Sequence, residues 1–395
     1  MSPVPRRRKA STTDRPPGPR VRPQEQLLVE AVGELPAGRL LCNTAGWGQF
    51  ARAYAAAYPR GEATCWFLDV YQRDCAAAVG AGASPAVPLD DLEAGDEPAA
   101  ADTDAETSSA PGTVLPNVTY ACAADPPGTD YDVVAWCCSA RGDGELTRET
   151  LQLGHERLRM GGRFLAAIDN PRDQWLHEEL HKLFPKVTRR PLEQGVLYLA
   201  TKTERLHKVK SYQAEFAFRD QGKLIYACSR PGVFSHRHID GGARALILTM
   251  EVQPRYKVLD LGCGTGVVSL AALSRAEQVQ VLAVDANPRA LECAERGARR
   301  NELTGLETRL DATGESITAS AFDLVCANPP YYSQFRIADL FLRIAQKALK
   351  TSGKVHVVTK SPDWFAQQMP QYFAEVTAEA VKSYWVMTGK RPRRT

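Results

Sequence analysis

The chain has 395 residues, 44% of them hydrophobic, and a formal net charge of +3, which is enough length for about two packed domains. A near-neutral balance does not by itself mark a nucleic-acid binder, and no apolar run is long enough to span a bilayer. The ten cysteines form no C-x-x-C pair, and His236 and His238 have no partner cysteines at zinc spacing, so no metal is expected and the thiols suit a reducing cytoplasm.

Residues 1–23 carry Arg6, Arg7, Arg8, Lys9, Arg15, Arg20 and Arg22 against Asp14 alone, among prolines, and read as a disordered basic tail. The C-terminus, ending Lys390-Arg391-Pro392-Arg393-Arg394, is also basic. A helix is expected over 24–32. RLLCNTAGWGQFARAYAAAYP (39–59) reads as strand, tight turn and helix, and ATCWFLDVYQRDCA (63–76) as a strand ending at Asp69 followed by a helix. From about 80 to 117 the chain is rich in Ala, Gly, Pro, Ser and acids and contains no Lys or Arg, the composition of a disordered acidic insertion. Regular pattern resumes with the strand YDVVAWCC (131–138). A helix over 151–160, a turn at Gly161-Gly162, the strand RFLAAID (163–169) and a helix near 175–184 follow. Two strands, KVTRRPLEQ and GVLYLATKT, close the unit. A connector, 204–251, holds a hairpin pattern around Asp220-Gln221-Gly222 and then PGVFSHRHIDGGARALI (231–247), a loop leading through Asp240 into a helix.

The chemistry-bearing residues lie beyond the connector. KVLDLGCGTGVVSLAAL (257–273) is a strand ending in Asp260, then Gly262, Gly264 and Gly266, then an apolar helix. Such glycines let the backbone turn sharply and approach a ligand, and the helix start offers free N–H groups. The next strand, VQVLAVDAN, ends in Asp285, placed to hold two ribose hydroxyls, and RLDATGE brings Asp311 to the end of a third. FDLVCANPPYY (322–332) is a buried strand running into Asn328-Pro329-Pro330-Tyr331. The prolines remove two backbone donors, leaving the Asn328 amide oxygen and the Pro329 carbonyl as acceptors beside an aromatic face. That set suits a flat ring carrying an exocyclic NH2. A dinucleotide dehydrogenase with a chance NPPY is the competing reading of the glycine loop.

The two halves repeat each other. RLLCNTAGWG falls on KVLDLGCGTG, CWFLDVY on LAVDAN, YDVVAWCCSA on FDLVCANPPY, and LRMGGRFLAAIDNPRDQW on LKTSGKVHVVTKSPDWF. Cys42 stands for Asp260, Thr44 for Gly262, Trp47 for Thr265, and Cys137-Cys138-Ser139-Ala140 for NPPY; of the strand-end acids only Asp69 keeps its counterpart, Asp285. The first half therefore has the pattern of the fold without the site, and is expected to position substrate or stabilise its partner half.

The order DLGCGTG, VDAN, LDA and NPPY resembles class I S-adenosylmethionine-dependent methyltransferases. The layout of a degenerate half, a Pro231-Gly232-Val233-Phe234-Ser235 and Asp240-Gly241-Gly242 connector, and an intact half resembles the bacterial ribosomal-RNA guanine-N2 methyltransferases of the RsmC/RlmG type. The resemblance implies an α/β architecture of two tandem Rossmann-like domains, each a seven-stranded sheet finishing in an antiparallel hairpin, at 24–203 (degenerate) and 252–395 (catalytic). It implies S-adenosylmethionine as cofactor, held by Asp260, Gly262, Gly264, Gly266, Asp285 and Asp311 with Phe234 and Asp240 as wall residues. Asn328, Pro329, Pro330 and Tyr331 would serve the methyl acceptor, a guanine N2 in ribosomal RNA or a ribosomal subunit. Adenine N6 or a protein glutamine as acceptor, and a non-catalytic RNA-binding ribosome-assembly factor, are the alternatives. No membrane association is expected, and a monomer is the simplest assembly. Tyr332-Ser333-Gln334 departs from the Phe-then-His that often follows NPPY in that family.

Overall fold

The structure is a computed structural model that describes residues 21–83, 115–330 and 335–393. Most of the basic tail, most of the acidic insertion, and Tyr331 with the three residues after it lie outside the described residues.

Helix α1 (Pro23–Glu30) precedes the first sheet. That sheet takes β1 (Arg39–Cys42), β2 (Glu62–Phe67), β3 (Val118–Cys122), β4 (Tyr131–Cys138), β5 (Leu158–Ile168), β6 (Val187–Leu192) and β7 (Gly195–Thr201) in the order β3-β2-β1-β4-β5-β7-β6. Its helices are α2 (Gln49–Ala57), α3 (Val70–Gly80), α4 (Gly144–Arg157) and α5 (Trp175–His181). A separate hairpin, β8 (Ala214–Asp220) and β9 (Lys223–Ser229), turns at Gln221 and Gly222, both at positive φ as a tight two-residue turn requires. Helix α6 (Gly241–Thr249) leads into the second sheet: β10 (Lys257–Leu261), β11 (Gln280–Asp285), β12 (Leu306–Leu310), β13 (Phe322–Ala327), β14 (Leu349–Thr359), β15 (Phe373–Val381) and β16 (Tyr384–Pro392), in the order β12-β11-β10-β13-β14-β16-β15. Helices α7 (Val267–Arg275), α8 (Pro288–Arg300), α9 (Arg336–Ala348) and α10 (Pro362–Gln368) cover it.

The two strand orders are the same once strands are counted within each half. Five strands run parallel and the last pair is antiparallel, β5 with β7 and β14 with β16. The expected pair of seven-stranded sheets, each closing in a hairpin, is what the chain forms. Central strands are apolar on both faces, as a sheet covered by helices on both sides demands: Val258, Leu259, Leu324 and Val325 are fully buried. Each sheet reverses its order between a central pair, β1/β4 and β10/β13, and the crevice at the carboxyl ends of such a pair is where open α/β sheets take ligands.

Three local expectations differ from the structure. Strand β3 was not anticipated: it is five residues long, half-buried, and sits on the sheet edge beside the acidic stretch. Helix α4 starts at Gly144 rather than near 151, because Asp143 caps it by accepting from the N–H groups of Glu145 and Leu146, although its first two turns are polar. The Gly161-Gly162 pair is not a turn before the strand. It is an irregularity within β5, with Gly161 at φ +75° and the register slipping between Tyr131 and Val133 of β4.

Candidate functional site

The carboxyl ends of β10, β11 and β13 bring most of the singled-out residues to one edge. Asp260 is buried in β10, and its Oδ2 accepts from the N–H of Ser269 at 3.0 Å and its hydroxyl at 2.6 Å. This oxygen pins α7 to the strand. Burial pushes the Asp260 carboxyl up to about 6. Gly262, Gly264 and Gly266 follow with φ of +67°, +53° and +75°. The last is required twice over, since a Cβ there would lie 2.6 Å from the Ala294 Cβ and force α7 off α8. At Gly264 a Cβ would meet only Phe234, its carbonyl oxygen at 3.8 Å and its Cβ at 4.0 Å, both ordinary contact distances.

Asp285 ends β11 with its carboxylate divided between two loops. Oδ2 accepts from the N–H of Gly264 and Oδ1 from that of Asn287, each at 2.9 Å. A carboxylate has about four acceptor positions, so lone pairs remain for hydroxyl donors. Burial raises this carboxyl as well, to about 6. Phe234, 65% exposed, lies with its backbone and Cβ beside Gly264. Asp311 follows β12 directly and is taken up by its own turn. It accepts from the N–H groups of Thr313, Gly314 and Ser316 and from the Thr313 and Ser316 hydroxyls. Burial works against its charge, but these donors hold the carboxyl below its ordinary value.

Strand β13 leads out to Asn328, part-buried, and Pro329, buried. Asn328 Nδ2 donates to Asp240 Oδ2 at 2.9 Å, so Asp240 meets the NPPY segment rather than the glycine loop. Where the chain is next described, Phe335 stacks on Trp364 with ring centroids 4.5 Å apart and planes 9° from parallel. Neither ring was singled out in the sequence; an aromatic just past NPPY and another in the first turn of α10 were the available signal.

In the first half the matching loop is closed from within. Glu25, fully buried on α1, inserts its carboxylate into the loop after β1. It accepts from the Thr44 hydroxyl at 2.7 Å and from the N–H groups of Ala45 at 3.2 Å and Phe50 at 3.1 Å. An internal carboxylate thus fills the donors of the loop that matches the glycine loop of the second half. Trp47 packs into the core at 2% exposure.

The first half nevertheless borders the second half's site. Val70 N–H donates to Ala286 O at 2.9 Å, immediately past Asp285. Arg289, fully buried at the start of α8, donates to Ala124 O, Pro231 O and Glu149 at 2.7, 2.7 and 2.6 Å. Asn287 Nδ2 donates to Gly232 O at 2.6 Å. The loop carrying Asp285 is therefore held from the far side by the first half and the connector.

Residues 225–388 match the family described as the methyltransferase small domain. The ribosomal RNA small subunit methyltransferase C of Actinobacillus succinogenes is 34% identical over 137 residues, 34% of this chain and 40% of that protein. Its namesake from Shewanella denitrificans is 28% identical over 177 residues, 44% and 50%. The chain thus spans about half the length of these curated relatives. An uncharacterized Bacillus subtilis protein, YbxB, is 27% identical over 190 residues, covering 46% of this chain and 94% of its own length. Among solved structures, the T. thermophilus 16S rRNA N2 methyltransferase in complex with AdoMet and guanosine superposes with a TM-score of 0.70 at 19% identity, over 93% of this chain and 92% of that one. That likeness extends the two-sheet fold to both halves. The resemblance carried by the glycine loop and NPPY is the one these comparisons return. No helix among the described residues is long and apolar enough to cross a membrane.

Proposed function

We propose that this protein transfers a methyl group from S-adenosylmethionine to the exocyclic N2 of a guanine in ribosomal RNA. The observation that carries this reading is the meeting of two features at one crevice. A loop of three left-handed glycines tied to Asp285 ends β10, and an oriented amide and proline carbonyl end its neighbour β13. Similarity to small-subunit methyltransferases makes the small ribosomal subunit the first substrate to try.

The residues present fit the cofactor. The loop at Gly264 is uncrowded, its nearest neighbour Phe234, and the amino end of α7, past Gly266, would be available to a carboxylate. Lone pairs left on Asp285 suit the ribose hydroxyls, and Phe234 flanks the loop. When bound, S-adenosylmethionine would supply an electrophilic methyl, which the guanine N2 lone pair would take as the bond to sulfur broke, with a neutral thioether as leaving group and the N2 proton passing to water. The protein's part is positioning. The guanine N2 lone pair is delocalised into the ring, so Asn328 Oδ1 and the Pro329 carbonyl, accepting its two N–H groups, would hold it in line with the methyl. Tyr331 would stack the base. A paired base must first swing out at a cost of a few kcal/mol, which favours single-stranded or partly assembled RNA.

The test is methyl transfer from tritiated S-adenosylmethionine to separated ribosomal subunits and naked rRNA, followed by nucleoside analysis. N2-methylguanosine is expected, and Asn328→Ala should lower turnover on the order of a hundredfold while calorimetry still shows cofactor binding. Label in N6-methyladenosine or in a protein glutamine would replace the acceptor. Absence of both transfer and cofactor binding would leave an RNA-binding assembly factor.

A further inference from the structure

Asn328 can serve an amine only if its oxygen, not its NH2, faces the substrate. Its Nδ2 lies 2.9 Å from Asp240 Oδ2. The same oxygen accepts from the N–H groups of Gly242 at 2.7 Å and Ala243 at 3.0 Å, capping α6. An ionised carboxylate only accepts, so the end of the amide that faces it must be the donor end. We infer that Asp240 is a positioning residue that, through the oxygen with which it caps α6, holds the Asn328 carboxamide with its own oxygen turned toward the target amine. This rests on the methyl-transfer reading above.

The two glycines after Asp240 serve the same arrangement. A Cβ at Gly242 would lie 2.8 Å from both Asn328 Oδ1 and Asp240 Oδ2. Only the absence of a side chain lets the amide oxygen occupy that space. A Cβ at Gly241 would come within 2.7 Å of the Tyr384 ring, which fixes how closely α6 approaches β16. The D-G-G segment is therefore more than a link between halves: α6 carries a carboxylate to the end of β13 and leaves room for what it holds. The first half has neither partner. Helix α1 packs on β5 and β7 as α6 packs on β14 and β16, yet the residue before α1 is Arg22, a donor only, and Cys137 stands where Asn328 would be. The negative charge adds to the geometry, since a hydrogen bond donated to a carboxylate polarises the amide and makes its oxygen a stronger acceptor.

Asp240→Ala, Asp240→Ser, Asp240→Asn and Gly242→Ala, made in the full chain, separate the possibilities by steady-state kinetics and calorimetric cofactor titration. Serine still caps the helix but is too short to reach Asn328. Turnover should fall about a hundredfold in the alanine and serine variants and in Gly242→Ala, with cofactor affinity within about threefold of wild type. Asparagine, whose side-chain oxygen can accept the same three N–H groups, should recover most of the turnover. Near-wild-type turnover in Asp240→Ala would overturn the inference. So would cofactor affinity falling in step with turnover, which would make Asp240 a wall of the cofactor pocket. If the wild type methylates no guanine, the reading above fails, and the hold on Asn328 is still measured by nitrogen-15 spectra. The Asn328 NH2 pair, identified by its loss in Asn328→Ala, should move in Asp240→Ala and stay in Asp240→Asn; an unmoved pair in Asp240→Ala also overturns the inference.

Discussion

Asp260 and Asp285 are carboxylates placed where burial opposes their charge, each with its pKa raised to about 6. The consequence for folding has a definite sign. A carboxyl whose folded pKa lies above its unfolded value stabilises the fold fully below the unfolded value, near 4, and loses that contribution as pH rises through about 6. Ligand binding makes the opposite demand, because hydroxyls donate best to an ionised Asp285. Cofactor affinity should be full above about pH 7 and weaken as pH falls through 6. After burial, the Asp69 charge in the first half also raises Asp285. Asp69→Asn, which can still cap α3, should therefore move the midpoint to lower pH. Calorimetric titrations from pH 5 to 8 would read both effects, and a flat profile would remove Asp285 from the cofactor site. The glycine loop, Asp285 and Asn328 were legible in the sequence because each sits in a short contiguous motif at a strand end. The Asp240–Asn328 bond spans 88 residues, and Glu25 reaches Thr44 from another element. Neither leaves a local pattern, so the contact between Asp240 and Asn328 could not be read from the sequence.

Between elements, the start of α8 is fastened to α4 by charge. Glu149 Oε2 accepts from Arg289 at 2.6 Å and Oε1 from Arg230 at 3.2 Å, while Arg230 also reaches Asp125 at 2.6 Å and Glu292 at 2.8 Å. Glu149 and both arginines are buried. Removing one member of a buried network leaves its partners' charge uncompensated, which costs far more than the network contributes net. Glu149→Gln should destabilise the fold by about 3 kcal/mol, visible as an earlier urea midpoint. Replacing an exposed pair such as Arg190–Glu34 should cost less than about 1 kcal/mol. Equal losses at the two sites would show that Glu149 is not the joint between halves. This joint could not be read from the sequence. Asp125 follows β3, the unanticipated edge strand, and Glu149 lies in the polar first turns of α4, where hydrophobic periodicity is weak.

In the whole molecule, the halves meet through equivalent corners. Asp69 matches Asp285 in the repeat, so Val70 matches Ala286, and it is Val70 N–H that donates to Ala286 O. Two copies of one fold joined through the same strand-to-helix corner form the contact that a two-fold dimer would make, here within one chain. The Glu25 carboxylate closes the first half's loop, which leaves bracing of the neighbouring loop as the role to test at this corner. Val70 is the first residue of α3, and Asp69 before it is extended at φ −134° and ψ +123°. Proline is tolerated at a first helical position and requires an extended predecessor, so Val70→Pro should delete this N–H while leaving α3 intact. If the first half braces the cofactor loop, Val70→Pro should weaken S-adenosylmethionine binding several-fold with about 1 kcal/mol or less lost in stability. A fall in stability with unchanged cofactor affinity would make the first half a scaffold that touches the site without shaping it. Affinity lost at nearly constant stability would mean that the second half binds its cofactor poorly without the brace supplied by the first.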